Sequence, residues 1–104
     1  MPDQGSLISR DRLSLPRPYI APRNHMERGL AEIWSAVFNT DRVGVDDSFV
    51  DLGGNSLDAE IILIMIETRL GLRISLTTLA ETGTVATLAK AITAAAGPNG
   101  RVKR

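Results

Sequence analysis

Between Ser56 and Leu70 the apolar residues do not fit one face of a helix, and this restricts the architecture more than any other stretch of the chain. At about 100° per residue, Ala59, Ile62, Leu63, Ile66 and Leu70 form one stripe, while Leu57, Ile61, Ile64, Met65 and Thr68 form a second nearly opposite. A helix apolar on two sides has two packing partners. Either it occupies the centre of a small bundle, with both stripes in the core, or the second stripe stays partly exposed and docks another protein.

The remaining periodicity is also helical. Asn24 offers an N-cap with Glu27 three residues later, as in a capping box, and Met26, Leu30, Ile33, Trp34, Val37 and Phe38 recur at helical spacing. They predict a first helix over residues 24–38. Asp41, Gly44, Asp46, Asp47, Gly53 and Gly54 then punctuate a long connection in which Val43, Val45, Phe49 and Leu52 are expected to anchor inward. The two-striped helix follows over 56–70, capped by Asn55 or Ser56 and stopped by Gly71. A short helix over 76–81 and a last one over 84–95 complete the series, the last with Val85, Leu88, Ala89 and Ile92 as its buried stripe. Only residues 72–76 alternate with period two, too briefly for a strand. The expected fold class is all-α.

A length of 104 residues allows one domain with one small core. The absence of cysteine excludes disulfides, thiolate-bound zinc, iron–sulfur clusters and a cysteine nucleophile. The longest apolar run, residues 61–66, is far too short to span a bilayer, and the first thirty residues contain no signal-length apolar stretch. A cytoplasmic protein with no membrane partner is the expectation.

Formal neutrality conceals a segregation of charge. Residues 1–23, rich in proline, carry Arg10, Arg12, Arg17 and Arg23 against Asp3 and Asp11, and residues 97–104 add Arg101, Lys103 and Arg104. Residues 24–96 hold five basic and ten acidic groups, so the folding part is acidic. The pattern predicts a mobile, extended lead-in over 1–23 that adds little core, a folded domain over 24–96, and a mobile basic tail over 97–104. A chain with four aromatic residues and an acidic folding part also disfavours nucleic acid as a partner, whether duplex or single-stranded.

Few residues suggest chemistry. Ser56 follows Gly53, Gly54 and Asn55 at a helix start, where free N–H groups and the helix dipole favour an anion; from periodicity alone, an N-cap role is preferred. The second glycine of a nucleophile elbow is missing, and the single histidine, His25, lies far upstream, which argues against a hydrolase. Neither the lysine nor the glycine spacing of a phosphate-binding P-loop is present. Asp46, Asp47 and Asp51 lack the spacing and closing glutamate of a calcium loop and are expected to be turn residues on a solvated acidic face.

The run from Val43 to Leu57, with Asp46-Asp47-Ser48-Phe49 and Leu52-Gly53-Gly54-Asn55-Ser56-Leu57, resembles the attachment motif of peptidyl carrier proteins, the thiolation domains of nonribosomal peptide synthesis. Tyr19 to Arg23 is similar to the lead-in of these carriers, Ile33-Trp34 to a pair in their first helix, and residues 76–81 and 84–89 to their third and fourth helices. The resemblance covers residues 19–95. It implies a small four-helix bundle of the acyl carrier type, with a long loop between helices one and two.

It also implies that Ser56 receives 4′-phosphopantetheine from coenzyme A, through a separate phosphopantetheinyl transferase that uses magnesium. The chain would then hold an aminoacyl or peptidyl thioester for an adenylation enzyme and a condensation or tailoring enzyme. It would act as a cosubstrate, with no catalytic residue and no metal site of its own. Asn55 stands where many of these carriers have histidine or aspartate, Asp58 replaces a commonly apolar residue, and Ile61, Ile64 and Met65 occupy positions often polar, charged or small. Leu57, Asp58, Ile61 and Met65 are therefore the expected partner-binding residues, with Glu60 and Glu67 adding acidity. Residues 11–16 are similar to the end of an adenylation domain, but Ser9 and Arg10 stand where its catalytic lysine is expected; this suggests a free-standing carrier, with an excised piece of a synthetase as the alternative. Competing functions are an acyl carrier of polyketide or fatty-acid assembly, an unmodified helical interaction module, and a helix-turn-helix DNA binder.

Overall fold

A computed structural model describes residues 7–96. The tail expected over 97–104 and the first six residues of the lead-in lie outside the described residues. Four helices follow a short 3₁₀ turn at Arg10–Leu13: α1 (His25–Phe38), α2 (Ser56–Leu70), α3 (Leu76–Thr82) and α4 (Val85–Ala96). Among the described residues there is no strand, only two isolated bridges, Ile8 with Thr40 and Ser48 with Thr84. The structure is all-α, with each boundary within one residue of the periodicity.

Local chemistry explains the helix ends. Asn24 accepts the Glu27 N–H, Asn55 the Asp58 N–H and Ser75 the Thr78 N–H, so three of the helices begin on a side-chain cap. α1, α2 and α3 end on left-handed residues, Asn39, Gly71 and Gly83. The capping box expected at α1 is only half present. Glu27 reaches one residue further back, accepting the Arg23 N–H at 2.9 Å and the Arg23 guanidinium at 2.7 and 3.0 Å. Its pKa is lowered, chiefly by the hydrogen bond from the Arg23 side chain.

The helices pack as a ring, α2 and α4 each touching α1 and α3. α2 is therefore a wall of the bundle and not its centre. Ala59, Ile62 and Ile66 are buried from α2, beside Leu30, Ile33 and Trp34 of α1, Leu79 of α3, and Val85, Leu88, Ala89 and Ile92 of α4. The long connection closes one end, as Val43 and Val45 are fully buried and Phe49 and Leu52 pack against the core. Trp34, Phe38 and Phe49 meet edge to face in a triangle with centroids 5.6–6.3 Å apart.

The lead-in departs from expectation. Among the described residues none before Met26 joins the apolar core, yet residues 7–23 are fastened to the long connection. Arg10 is buried, and its guanidinium donates to both carboxylate oxygens of Asp47 at 2.6 and 2.7 Å and to the Arg17 carbonyl at 2.8 Å. The Arg10 N–H donates to Asp41, Ile8 pairs with residues 39–41, and the Ile20 carbonyl accepts the Val45 N–H. The Arg10 and Arg42 guanidinium groups both lie over the Tyr19 ring, 5.4 and 4.9 Å from its centre. From residue 7 onward the segment is a strap. Asp47 is correspondingly not on a solvated acidic face: it is 2% exposed, and it also accepts the Gly44 N–H. Proline-rich composition signalled the extended backbone, but the partner of Arg10 lies 37 residues away and leaves no local trace.

Candidate functional site: the turn before α2

Residues 48–56 build a turn that delivers Ser56 to solvent at the first position of α2. The Ser48 hydroxyl accepts the Val50 and Asp51 N–H groups, and the Leu52, Gly53 and Gly54 N–H groups bond back to Ser48, Val50 and Phe49. The Phe49 N–H donates to the Gly83 carbonyl at 2.7 Å, which clips this turn to the α3–α4 corner.

The two glycines serve different needs. Gly53 has φ +88° with open space around it, so its backbone conformation is what favours glycine. Gly54 is not in the left-handed region; there a Cβ would lie 2.4–2.6 Å from the Phe49 ring, so space is what demands glycine.

At the start of α2, Asn55 and Asp58 form a complete capping box. The Asn55 side chain accepts the Asp58 N–H at 2.9 Å, and the Asp58 carboxylate accepts the Asn55 N–H at 3.2 Å. This settles the choice of cap in favour of Asn55 and gives Asp58 a local role, with Asn and Asp in the places where the S/T-x-x-E form of the motif has Ser or Thr and Glu. Of the four N–H groups that a helix start leaves without an intrahelical acceptor, the box occupies two. Those of Ser56 and Leu57 remain. Ser56 is exposed, and its hydroxyl makes no hydrogen bond to the described residues. An esterified phosphate at this position fits the donors present, and the dipole adds about 0.3–1 kcal/mol. Beside it a cavity of about 350 Å³ runs between α2 and α3, lined by Phe49, Ala59, Leu76, Leu79 and Ala80 together with Ser56.

The second stripe of α2 faces outward. Leu57, Ile64 and Ile61 are 64%, 61% and 38% exposed. Met65 does not share this exposure: it is half-buried against the core, and Ile64 takes its place on the open face. Leu76 of α3 and Val50 of the turn, 48% and 75% exposed, extend the apolar surface around Ser56. Glu60 and Glu67 are exposed on the same helix, and Glu67 pairs with Arg73 at 2.9 Å.

His25 is exposed at the start of α1, in the wall of a shallow groove between α1 and α4 that also includes Arg23, Asp46 and Lys90. Nothing brings it near Ser56. Among the described residues no cluster of three or more histidine, cysteine, aspartate or glutamate side chains could hold a metal ion, and no helix is long and apolar enough to cross a membrane.

Comparison with known proteins agrees with this geometry. The family model described as "Phosphopantetheine attachment site" matches residues 28–92. The chain is 38% identical over 94 residues to surfactin synthase subunit 1 of Bacillus subtilis, covering 82% of the chain but 3% of that subunit. Among solved structures, it resembles BlmI, a type-II acyl-carrier protein from Streptomyces verticillus involved in bleomycin biosynthesis (TM-score 0.63, 36% identity, 66% of this chain and 83% of that one). It equally resembles a peptidyl carrier protein solved with the phosphopantetheine transferase Sfp and coenzyme A (TM-score 0.67, 32% identity, 70% of this chain and 95% of that one). A four-helix bundle that presents an unbonded serine on a glycine turn, matched over most of its folded length, belongs to the phosphopantetheine attachment-site family and is of the peptidyl carrier type.

Proposed function

We propose that Ser56 is the attachment point and that the chain carries an aminoacyl or peptidyl group as a thioester in nonribosomal peptide assembly. The observation that carries this reading is the Ser56 hydroxyl, exposed and unbonded at the first position of α2, beside two helix N–H groups left free by the Asn55–Asp58 box. In the loading step, Ser56 Oγ bonds to the phosphorus of the pantetheine phosphate, the pyrophosphate link of coenzyme A breaks, and adenosine 3′,5′-bisphosphate leaves. The serine proton passes to the transferase. The bound group supplies a thiol on a flexible arm.

The chain's own residues supply placement. Asn55 and Asp58 fix the start of α2, and the two glycines keep side chains away from the serine. Leu57 and Ile61, joined by Ile64 and with Met65 at the margin, offer apolar surface to partner enzymes. Asp58, Glu60 and the net acidic charge of residues 24–96 steer basic partners toward it. The partners in this reading are a phosphopantetheinyl transferase, an adenylation enzyme and a condensation or tailoring enzyme. The carrier unit is residues 24–96, strapped by 7–23, and it acts in the cytoplasm as a cosubstrate and not as a catalyst.

The test is intact mass after incubation with coenzyme A, magnesium and a broad-specificity transferase, beside Ser56→Ala. One added phosphopantetheine that disappears in the variant is expected. A folded wild-type chain that gains no mass would overturn the reading and favour an unmodified interaction module.

A further inference from the structure

The collision between a Cβ at position 54 and the Phe49 ring reaches beyond the fold. Trp34 and Phe38 hold the ring edge to face with centroids at 5.9 and 5.6 Å, and a retreat toward the cavity between α2 and α3 would give up those contacts. Its backbone is fixed as well: the Phe49 N–H donates to Gly83 at 2.7 Å, and its carbonyl accepts the Gly54 N–H at 3.0 Å. A side chain at 54 therefore either displaces the turn or pries the ring off Trp34 and Phe38; the packed ring favours the first, and the turn ends two residues later at Ser56. Gly53 offers the contrast within the same dipeptide, since a Cβ there meets nothing within 4 Å.

We infer that Gly54 and Phe49 form a positioning pair for phosphopantetheinylation: the bare Gly54 backbone rests on the Phe49 ring and thereby sets where the Ser56 hydroxyl stands above the bundle. This rests on the proposed attachment at Ser56. Neither residue touches the transferred group; both act through the turn. The outward apolar face at Ile61 and Ile64 lies more than one helical turn beyond Ser56 and keeps its place when the turn shifts, so the carrier's affinity for the transferase changes less than its rate. A misplacement of about 1 Å at a reacting atom costs about 100-fold in rate.

The experiment measures transferase kinetics on the full chain, with coenzyme A saturating, for wild type, Gly53→Ala, Gly54→Ala, Phe49→Leu and the double variant Phe49→Leu/Gly54→Ala. Circular dichroism at the assay temperature reports folding. Gly54→Ala is expected to lose about 10- to 100-fold in kcat with KM for the carrier changed less than about threefold. The double variant, with the ring removed from the site of collision, is expected to regain the rate of Phe49→Leu alone. Gly53→Ala, which strains the backbone at φ +88° without a collision, is expected to lose less in kcat than Gly54→Ala, and an equal loss would overturn the assignment to the Phe49 contact. An unchanged kcat in folded Gly54→Ala, or a loss confined to KM, would overturn the pair. Should Gly54→Ala fail to fold, the double variant decides: modification at the Phe49→Leu rate supports the pair, and a rate tenfold below it refutes it. Wild-type protein that acquires no phosphopantetheine is a separate result, because it removes the Ser56 assignment itself.

Discussion

The middle of the long connection between α1 and α2 and its exit into α2 treat polar groups in opposite ways. Around Asp47 every strong group is engaged: Arg10 and Asp47 form a buried bidentate pair, Asp47 also takes the Gly44 N–H, and Asp41 takes the Arg10 N–H. Around Ser56 the hydroxyl is unbonded, two helix N–H groups are open, and Leu57, Ile61 and Ile64 stand in solvent. Asp47 and Ser56 stand only nine positions apart. A buried charge without its partner is costly, so the first region must be complete within the chain. The second can stay incomplete because water satisfies exposed polar groups until a partner does. The contrast separates what holds the carrier together from what it presents.

The sharpest way to break this contrast is to compare the two stripes of α2. Ile62→Ala, on the buried stripe, is expected to cost about 3–4 kcal/mol, read from urea unfolding. Ile64→Ala, on the open stripe, should change stability by less than about 0.5 kcal/mol while slowing aminoacyl loading by the cognate adenylation enzyme. Equal stability losses would show that the open stripe is core after all.

The strap ranks next. Arg10→Ala leaves Asp47 buried without its guanidinium and should cost about 3 kcal/mol in the same unfolding assay, with Asp47→Ala similar. Replacing both partners together with apolar residues should recover much of the loss, because the penalty belongs to the orphaned charge. A strap that merely lies on the surface would give less than about 0.5 kcal/mol for every variant.

At the exit of the connection, Asn55→Ala removes the cap of α2 and should cost about 1 kcal/mol, a loss visible as a lower thermal midpoint. The smallest effect is electrostatic. Glu27 has its pKa lowered in the folded chain, chiefly by the hydrogen bond from Arg23, so it binds its proton less readily folded than unfolded. The stabilisation is present above the ordinary glutamate pKa and is lost as pH falls through the lowered folded value. Wild-type stability should therefore decline more steeply on acidification than that of Glu27→Gln. Parallel curves would show that the pair with Arg23 contributes nothing.

Much of this architecture was legible before any coordinates. Helical spacing, caps and glycine stops placed all four helices, because these signals act over three or four residues and are written next to one another in the chain. The attachment motif was equally local. Periodicity alone, however, read Ser56 as a cap, whereas the capping is done by Asn55 with Asp58 and leaves the serine free. It also grouped Met65 with Leu57, Ile61 and Ile64, although a difference of one residue in rotation brings Met65 against the core.

The amino-acid order by itself determined the all-α class, the four elements and the turn that carries Ser56, since each follows from contacts between near neighbours. Only the tertiary structure decided that α2 is a wall with one stripe open, that Arg10 reaches across 37 residues to Asp47, and that Gly54 must be glycine because Phe49 lies under it. Those outcomes depend on which surfaces the bundle brings together in space, and spacing along the chain carries no direct record of that.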